Sequence, residues 1–287
     1  MIPAGFEYFA PKSVAEAVAL LEQHGDDAKL LGGGHSLLPA LKLRLAQTGV
    51  LIDITSIAEL KGIRENGGLE IGAGATYHAI ATSDLVRTHC AVLAECAGQI
   101  GDIQVRNRGT IGGSLAHADP AADLTAVALA LGMTLSVQGP TGSQTINADD
   151  LFVGMLTTAL QPSDVIVSVH APKLGTGEGA AYAKLRHPAS RYAIVGVAAY
   201  VKLDGGSVSV CRVAVTGAGP MAVRDATVET AMVGSDGSDA AVASAASAAG
   251  EDMDYLGDIH ASDEYRKAMV KVYTKRALTA ALAQARG

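Results

Sequence analysis

The 287-residue sequence predicts an α+β fold in three successive parts. Three observations carry that prediction. Residues 1–55 alternate helix and strand signals around a glycine segment at a strand end. Residues 56–175 are strand-rich with helical stretches to one side. After the glycine-rich run Lys173-Leu-Gly-Thr-Gly-Glu-Gly179, three strand signals are followed by three helical ones. The expected divisions are therefore a small α+β unit over 1–55, a larger mixed-sheet unit over 56–175, and over 176–287 a three-stranded antiparallel sheet with a helix bundle.

In chain order, Ser13-Val-Ala-Glu16 reads as a capping box that opens a helix through Leu21 and stops near Gly25. Its apolar positions Val14, Ala17, Val18 and Leu21 share one face. A short strand over Ala28–Leu31 runs into Gly32-Gly33-Gly34-His35-Ser36, a helix follows over Leu37–Leu45, and Val50–Ile54 reads as a strand. Asn66-Gly67-Gly68 between Gly62–Arg64 and Leu69–Ile71 is a hairpin signature. One helix is expected from Ser83 to about Ile100, and another over Ala121–Leu131 with Pro120 at its start. Strands are expected at Thr134–Val137, Gln144–Ile146 and Val165–His170. In the last part, Ala180–Arg186, Tyr192–Leu203 and Ser207–Thr216 read as strands, the latter two joined by Asp204-Gly205-Gly206. Helices are expected near 224–233, 237–250 and 263–285, the last with Met269, Val270, Val272, Tyr273, Leu278 and Leu282 at helical spacing.

A net charge of −7 and the lack of a basic patch argue against nucleic acid as a partner. No signal peptide or membrane-length apolar run is visible, so a cytoplasmic chain is expected. Cys90, Cys96 and Cys211 have no metal-site spacing, and three thiols cannot build a four-cysteine iron–sulfur cluster. No Ser-His-Asp set or HExxH motif is present, and no catalytic or metal-ligating residue is assigned.

The chemistry lies in the two glycine segments, Gly32-Gly33-Gly34-His35-Ser36 and Thr110-Ile111-Gly112-Gly113-Ser114. Consecutive glycines let backbone N–H groups approach a phosphate, and Ser36, Thr110 and Ser114 add hydroxyl donors. Two such segments could hold both phosphates of a dinucleotide from opposite sides. Neither is a G-x-G-x-x-G fingerprint or a P-loop, and each alone could be a plain turn.

Together the segments resemble the A-G-G-H-S and T-I-G-G-N pattern of the FAD-binding medium subunits of molybdenum hydroxylases, the carbon monoxide dehydrogenase and xanthine dehydrogenase family. The resemblance extends to Met1-Ile-Pro3, Gln104-Val-Arg-Asn-Arg108, Asp119-Pro120 with Asp123, and Tyr182-Ala-Lys-Leu185. Gly32 stands where the family has Ala, and Ser114 where it has Asn, which shortens or removes an amide contact.

The resemblance implies that the first two parts form a two-part FAD-binding domain. It places the pyrophosphate on Gly32–Ser36 and Thr110–Ser114, and the ribose hydroxyls on Asp123. It further places Lys184 near the flavin pyrimidine edge, Ile100 and Ile166 against the aromatic rings of the cofactor, and Tyr192 beside the flavin. Read from the residues alone, these are equally a charged helix face, a strand lysine, core isoleucines and a core tyrosine. His35, inside the first segment, could donate to the phosphate or make a local hydrogen bond, and His117 reads as structural.

The implied function is electron relay. A large partner subunit would carry the molybdenum cofactor, and a small one two [2Fe-2S] clusters. FAD on this chain would pass electrons to an external acceptor, in a dimer of heterotrimers. The alternatives are a free-standing FAD-dependent oxidase or dehydrogenase and a non-catalytic dinucleotide-binding module. The substrate of the whole enzyme would be set by the molybdenum subunit, so carbon monoxide, aldehydes, N-heterocycles and purines all stay open, and His187-Pro188-Ala189 in place of a basic run common in the family argues against choosing carbon monoxide specifically.

Overall fold

In the computed structural model, which describes residues 2–287, three main sheets succeed one another along the chain. The first is built from β1 (Glu7–Phe9), α1 (Val14–His24), β2 (Ala28–Leu31), α2 (Leu37–Leu43) and β3 (Val50–Asp53). Its order is β1-β3-β2, and both pairings are parallel, with Tyr8 beside Leu51 and Leu30 beside Ile52. Ser13 caps α1 through its Oγ, which accepts from the Glu16 N–H at 3.2 Å. The Glu16 carboxylate reaches back to the Lys12 N–H at 2.7 Å, one residue earlier than in a standard capping box. Val14, Ala17, Val18 and Leu21 are buried, so the face expected from the spacing is the packed one. The edge strand β1 is not expected from the sequence, because three half-exposed residues leave no periodic signal.

The second sheet begins with the hairpin β4 (Ile63–Glu65) and β5 (Leu69–Gly72). Six short helices follow: α3 (Tyr77–Thr82), α4 (Asp84–His89), α5 (Ala91–Gln99), α6 (Ile103–Arg106), α7 (Ile111–His117) and α8 (Asp123–Ala130). Then come β6 (Thr134–Gly139), β7 (Gly142–Asn147), α9 (Ala148–Leu151), the small hairpin β8 (Phe152–Gly154) and β9 (Thr157–Thr158), and β10 (Val165–Ala171).

The order is β4-β5-β10-β6-β7, and every neighbouring pair is antiparallel. The α+β class holds, but the mixed sheet expected here is corrected to an antiparallel one. Two tight hairpins flank β10, and a tight hairpin can only join antiparallel strands.

Two helix boundaries also differ. The stretch from Ser83 to Ile100 is broken at the buried Cys90, whose φ of −155° and ψ of 62° leave the helical region. The helix expected from Ala121 starts at Asp123 instead. The Asp119 carboxylate accepts the Ala121 N–H at 2.8 Å, and this local turn delays helix entry.

The third sheet is β11 (Glu178–Arg186), β12 (Ala193–Asp204), β13 (Ser207–Thr216) and the two-residue β14 (Val223–Arg224), antiparallel in that order. It thus has four strands where three are expected; β14 is too short to read from pattern. Gly205 and Gly206 turn the β12–β13 hairpin with φ of 55° and 87°, the double positive φ of a type I′ turn.

Helices α10 (Ala226–Met232), α11 (Asp239–Ser247) and α12 (Asp263–Arg286) complete the chain. The buried stripe of α12 runs through Val270, Tyr273, Ala277, Leu278, Ala281, Leu282 and Ala285. Gly179 on β11 permits its close approach, since a Cβ there would lie 2.7 Å from the Ala285 nitrogen. Each large side chain in that stripe contributes about 1.5–3 kcal/mol on burial, so α12 is anchored by packing.

The parts are not independent. Val165 of β10 and Leu60 belong to the core of the first unit. Thr216 of β13 donates to the carbonyl of Pro120 at 2.8 Å, and Arg212 reaches the Leu129 carbonyl and Asp149. Among the described residues no helix is long and apolar enough to cross a membrane.

Candidate functional site

A cavity of about 970 Å³ opens between the first and second units, with Ser190, Arg191 and Tyr192 of the loop that follows β11 on its wall. That is the upper range for a small-molecule site. The first glycine segment forms one wall. After β2 the chain turns with Gly34 at φ 78°, and Ser36 leads into α2. The N–H groups of Gly33, Gly34, His35 and Ser36 have no hydrogen-bond partner among the described residues. Four adjacent donors beside a cavity need an acceptor, and an oxyanion such as a phosphate supplies several.

The second segment is built differently. It is not a loop but the first turn of α7, with Thr110 as N-cap. The Ile111 N–H donates to the Ala75 carbonyl at 3.1 Å and the Gly112 N–H to the Ala73 carbonyl at 2.9 Å. Thr110 Oγ1 accepts the Gly113 N–H at 3.1 Å, and the Thr110 carbonyl accepts the Ser114 N–H at 2.9 Å. All four amides are therefore spent inside the chain, and this segment offers the cavity hydroxyl groups and small surfaces instead.

Its glycines serve close packing. A Cβ at Gly112 would meet the Ala73 Cβ at 2.6 Å and the Ala73 oxygen at 2.8 Å. Nor do the two segments face each other across the cavity. A Cβ at Gly33 would fall 2.8 Å from the Arg108 carbonyl carbon and 2.9 Å from the Gly109 Cα, so they lie edge to edge.

Of the residues expected at the site, Gly32, Gly33, Gly34, His35 and Ser36 line the cavity, as do Thr110, Gly112, Gly113 and Ser114. Ile100, Asp123, Ile166 and Tyr192 line it too. Ile111 points into the core and is 1% exposed. Lys184 is not on the cavity wall. Its ammonium lies behind Asp123, 2.8 Å from Oδ2, with both side chains buried. Burial pushes the Asp123 carboxyl above the usual carboxylate range, against the opposing pull of Lys184 and of the Tyr182 hydroxyl. Tyr192 is half exposed at the rim, and burial of its hydroxyl and the nearby Asp119 and Asp123 raise its pKa.

Several wall residues escape the sequence reading. The small run Ala73-Gly74-Ala75 lines the cavity and receives α7. Tyr77 packs against Gly109, where a Cβ would be 2.9 Å from the ring Cδ2, and burial pushes its phenol up to about 12. Arg108 and Asp164 also line the cavity. A run of small residues straight after a strand was the available signal for Ala73–Ala75; Tyr77 and Asp164 carry none. Among the described residues no group of three or more His, Cys, Asp or Glu is placed to hold a metal ion.

Comparison with known proteins matches residues 4–174 to the FAD binding domain in molybdopterin dehydrogenase, and residues 180–281 to the CO dehydrogenase flavoprotein C-terminal domain. The chain is 44% identical over 285 residues to the carbon monoxide dehydrogenase medium chain of Hydrogenophaga pseudoflava, covering 99% of each. It is 38% identical to the 6-hydroxypseudooxynicotine dehydrogenase complex subunit alpha of Paenarthrobacter nicotinovorans, covering 100% of this chain and 97% of the relative. A solved structure of Hydrogenophaga pseudoflava carbon monoxide dehydrogenase lacking the Mo-pyranopterin moiety contains a chain that superposes with a TM-score of 0.96. That match covers 99% of each chain at 44% identity.

Proposed function

Because this chain belongs to the flavoprotein family that joins the FAD-binding domain of molybdopterin dehydrogenases to the CO dehydrogenase flavoprotein C-terminal domain, we propose that it is the electron-relay subunit of a three-part molybdenum hydroxylase. Its cofactor is FAD. In this reading a large subunit with the molybdenum cofactor oxidises the substrate and a small iron–sulfur subunit delivers the electrons. An external acceptor removes them, and the complex assembles as a dimer of heterotrimers.

The observation that carries the reading is the row of unpartnered N–H groups from Gly33 to Ser36, set in a cavity large enough for a dinucleotide. The residues present fit the cofactor. Gly33–Ser36 would hold the pyrophosphate by backbone donation, with Thr110 and Ser114 beside it. Ile166 would bear on one aromatic end, and Ile100 and Tyr192 on the other. Asp123, whose carboxylate retains lone pairs beyond those used by Tyr182 and Lys184, would accept from hydroxyl groups. FAD, when bound, supplies a centre that takes electrons singly and can release them as a pair. The chain's part is to bind it, fix its orientation and wall one side from water.

The test is an absorbance spectrum of the purified chain after loading with FAD, followed by anaerobic mixing with its reduced iron–sulfur partner. Bound flavin that is bleached by the partner supports the proposal. Bleaching by a small substrate without any partner would make the chain a free-standing dehydrogenase, and bound flavin that neither reduces would make it a non-catalytic module.

A further inference from the structure

Tyr182 and Lys184 stand two residues apart on β11 and so project from one face of the strand. Both reach the same carboxylate. The Tyr182 hydroxyl donates to Asp123 Oδ1, and the Lys184 ammonium donates to Oδ2 at 2.8 Å. Of the three, only Asp123 lines the cavity. The opposite strand makes room for this arrangement. Gly196 on β12 lies under the Tyr182 ring, so a Cβ there would collide with the hydroxyl and sit 3.0 Å from the ring carbon bearing it.

We infer that Tyr182 is a positioning residue of the flavin site, acting through Asp123. Its hydroxyl and the Lys184 ammonium clamp the carboxylate from behind, so Asp123 meets the cofactor's hydroxyl groups ionised and in one orientation. This inference rests on the cavity being the FAD site.

Three features distinguish that role from plain core packing. Tyr182 is buried, and a buried phenol without an acceptor would be costly, yet its acceptor is a cavity-lining charge. A carboxylate has about four acceptor positions; Tyr182 and Lys184 take two, which leaves acceptor capacity on a residue that lines the cavity. Among the described residues, Lys184 is also the only positive group against Asp123. The other titratable groups facing it are Asp119 from the preceding turn, Cys96 from α5, Tyr77 from α3 and Tyr192 from the loop. Asp119 works against ionisation, and burial holds the Cys96 thiol and the phenols neutral, so Tyr182 is the donor that supplements the ammonium.

The sign of the effect follows. A donor to the ionised carboxylate favours that form, so its removal raises the Asp123 pKa and the site fails at a higher pH on acidification. The test is FAD affinity of the full chain, with any co-purifying subunits, titrated by flavin fluorescence from about pH 5 to 9. In Tyr182→Phe, which keeps the ring, the acid limb of affinity should move up by about one pH unit, the size expected for one charge-assisted hydrogen bond.

Gly196→Ala, which displaces the hydroxyl without deleting it, should shift the limb in the same direction and serves if the first variant does not fold. Superimposable pH profiles for wild type and a folded variant that binds FAD would overturn the positioning role while leaving the flavin site intact. A wild-type chain that holds no FAD at any pH would overturn the site itself and this inference with it.

Discussion

Gly32 and Gly33 are adjacent in a glycine-rich wall, and the structure assigns them opposite tolerances. A Cβ at Gly32 has Thr110 Oγ1 at 3.6 Å as its nearest neighbour, an ordinary contact, so Gly32→Ala should leave folding and cofactor affinity within a few-fold of wild type. That agrees with the alanine the family carries there. A Cβ at Gly33 meets only backbone, with the Arg108 carbonyl carbon at 2.8 Å and the Gly109 Cα at 2.9 Å, and the Arg108 oxygen nearer still. Carbon atoms rest about 3.5–4.0 Å apart, so the two segments must separate by roughly 1 Å. No side chain can rotate away to absorb this. Overpacking of that kind costs about 1–3 kcal/mol of stability. The displaced donors are also the four unpartnered N–H groups. Losing alignment of one or two charge-assisted bonds, each worth about 1.5–3 kcal/mol, should weaken FAD binding by at least about 10-fold and by about 10²-fold or more if both are lost. Fluorescence titration with FAD, with urea denaturation alongside, measures both quantities. A folded Gly33→Ala chain with wild-type FAD affinity would refute the assignment of the donors to the pyrophosphate.

Two other consequences are open to direct measurement. Lys184→Met should lower stability by about 3 kcal/mol in urea denaturation, because it strips the buried Asp123 carboxylate of its counter-charge. The cysteines should be inert in the folded protein, since all three are buried and burial pushes Cys90 and Cys211 up to about 12 and Cys96 well above its ordinary value. A thiol reagent at mild alkaline pH should therefore modify none until denaturant is added and three afterwards.

What the sequence made legible was local. Ser13, the Asp204-Gly205-Gly206 turn and the apolar stripe of α12 each declare themselves within a few residues; the cap and turn are found where expected, and the stripe holds at Val270, Tyr273, Leu278 and Leu282, while Val272 is exposed and Met269 only partly buried. The misses are cases where tertiary pairing overrides weak local signal. β1 and β14 exist because β3 and β13 offer them edges, and their own two or three residues carry no period. The break at Cys90 interrupts an unbroken helical pattern because both halves are buried in the second unit's core, α4 through Val86 and α5 through Val92 and Leu93. At the site, the family resemblance named many of the residues that line the cavity, but also Ile111 and Lys184, which do not, and the pairing of Asp123 with a tyrosine and a lysine about sixty positions away is beyond any local pattern.

The two glycine segments show why residue type alone misassigns roles. Both look like phosphate loops, because glycine is what either a ligand or another backbone requires for close approach. Gly33 and Gly112 are glycines for the second reason: each faces neighbouring backbone rather than the cavity alone. The free donors of the first segment thus stay in place only while the second segment, tied through Ile111 and Gly112 to Ala75 and Ala73, holds Arg108 and Gly109 against Gly33. Substitution at Gly112 should then cost stability and cofactor together, since α7 must lift from Ala73 before anything at the cavity changes. Substitution at Ser36, whose side chain makes no helix-capping bond, should cost affinity with little stability. If Gly112→Ala lost FAD while unfolding at the wild-type urea midpoint, its amide would be contacting the cofactor directly, and the hydrogen bond to Ala73 would have to be given up on binding.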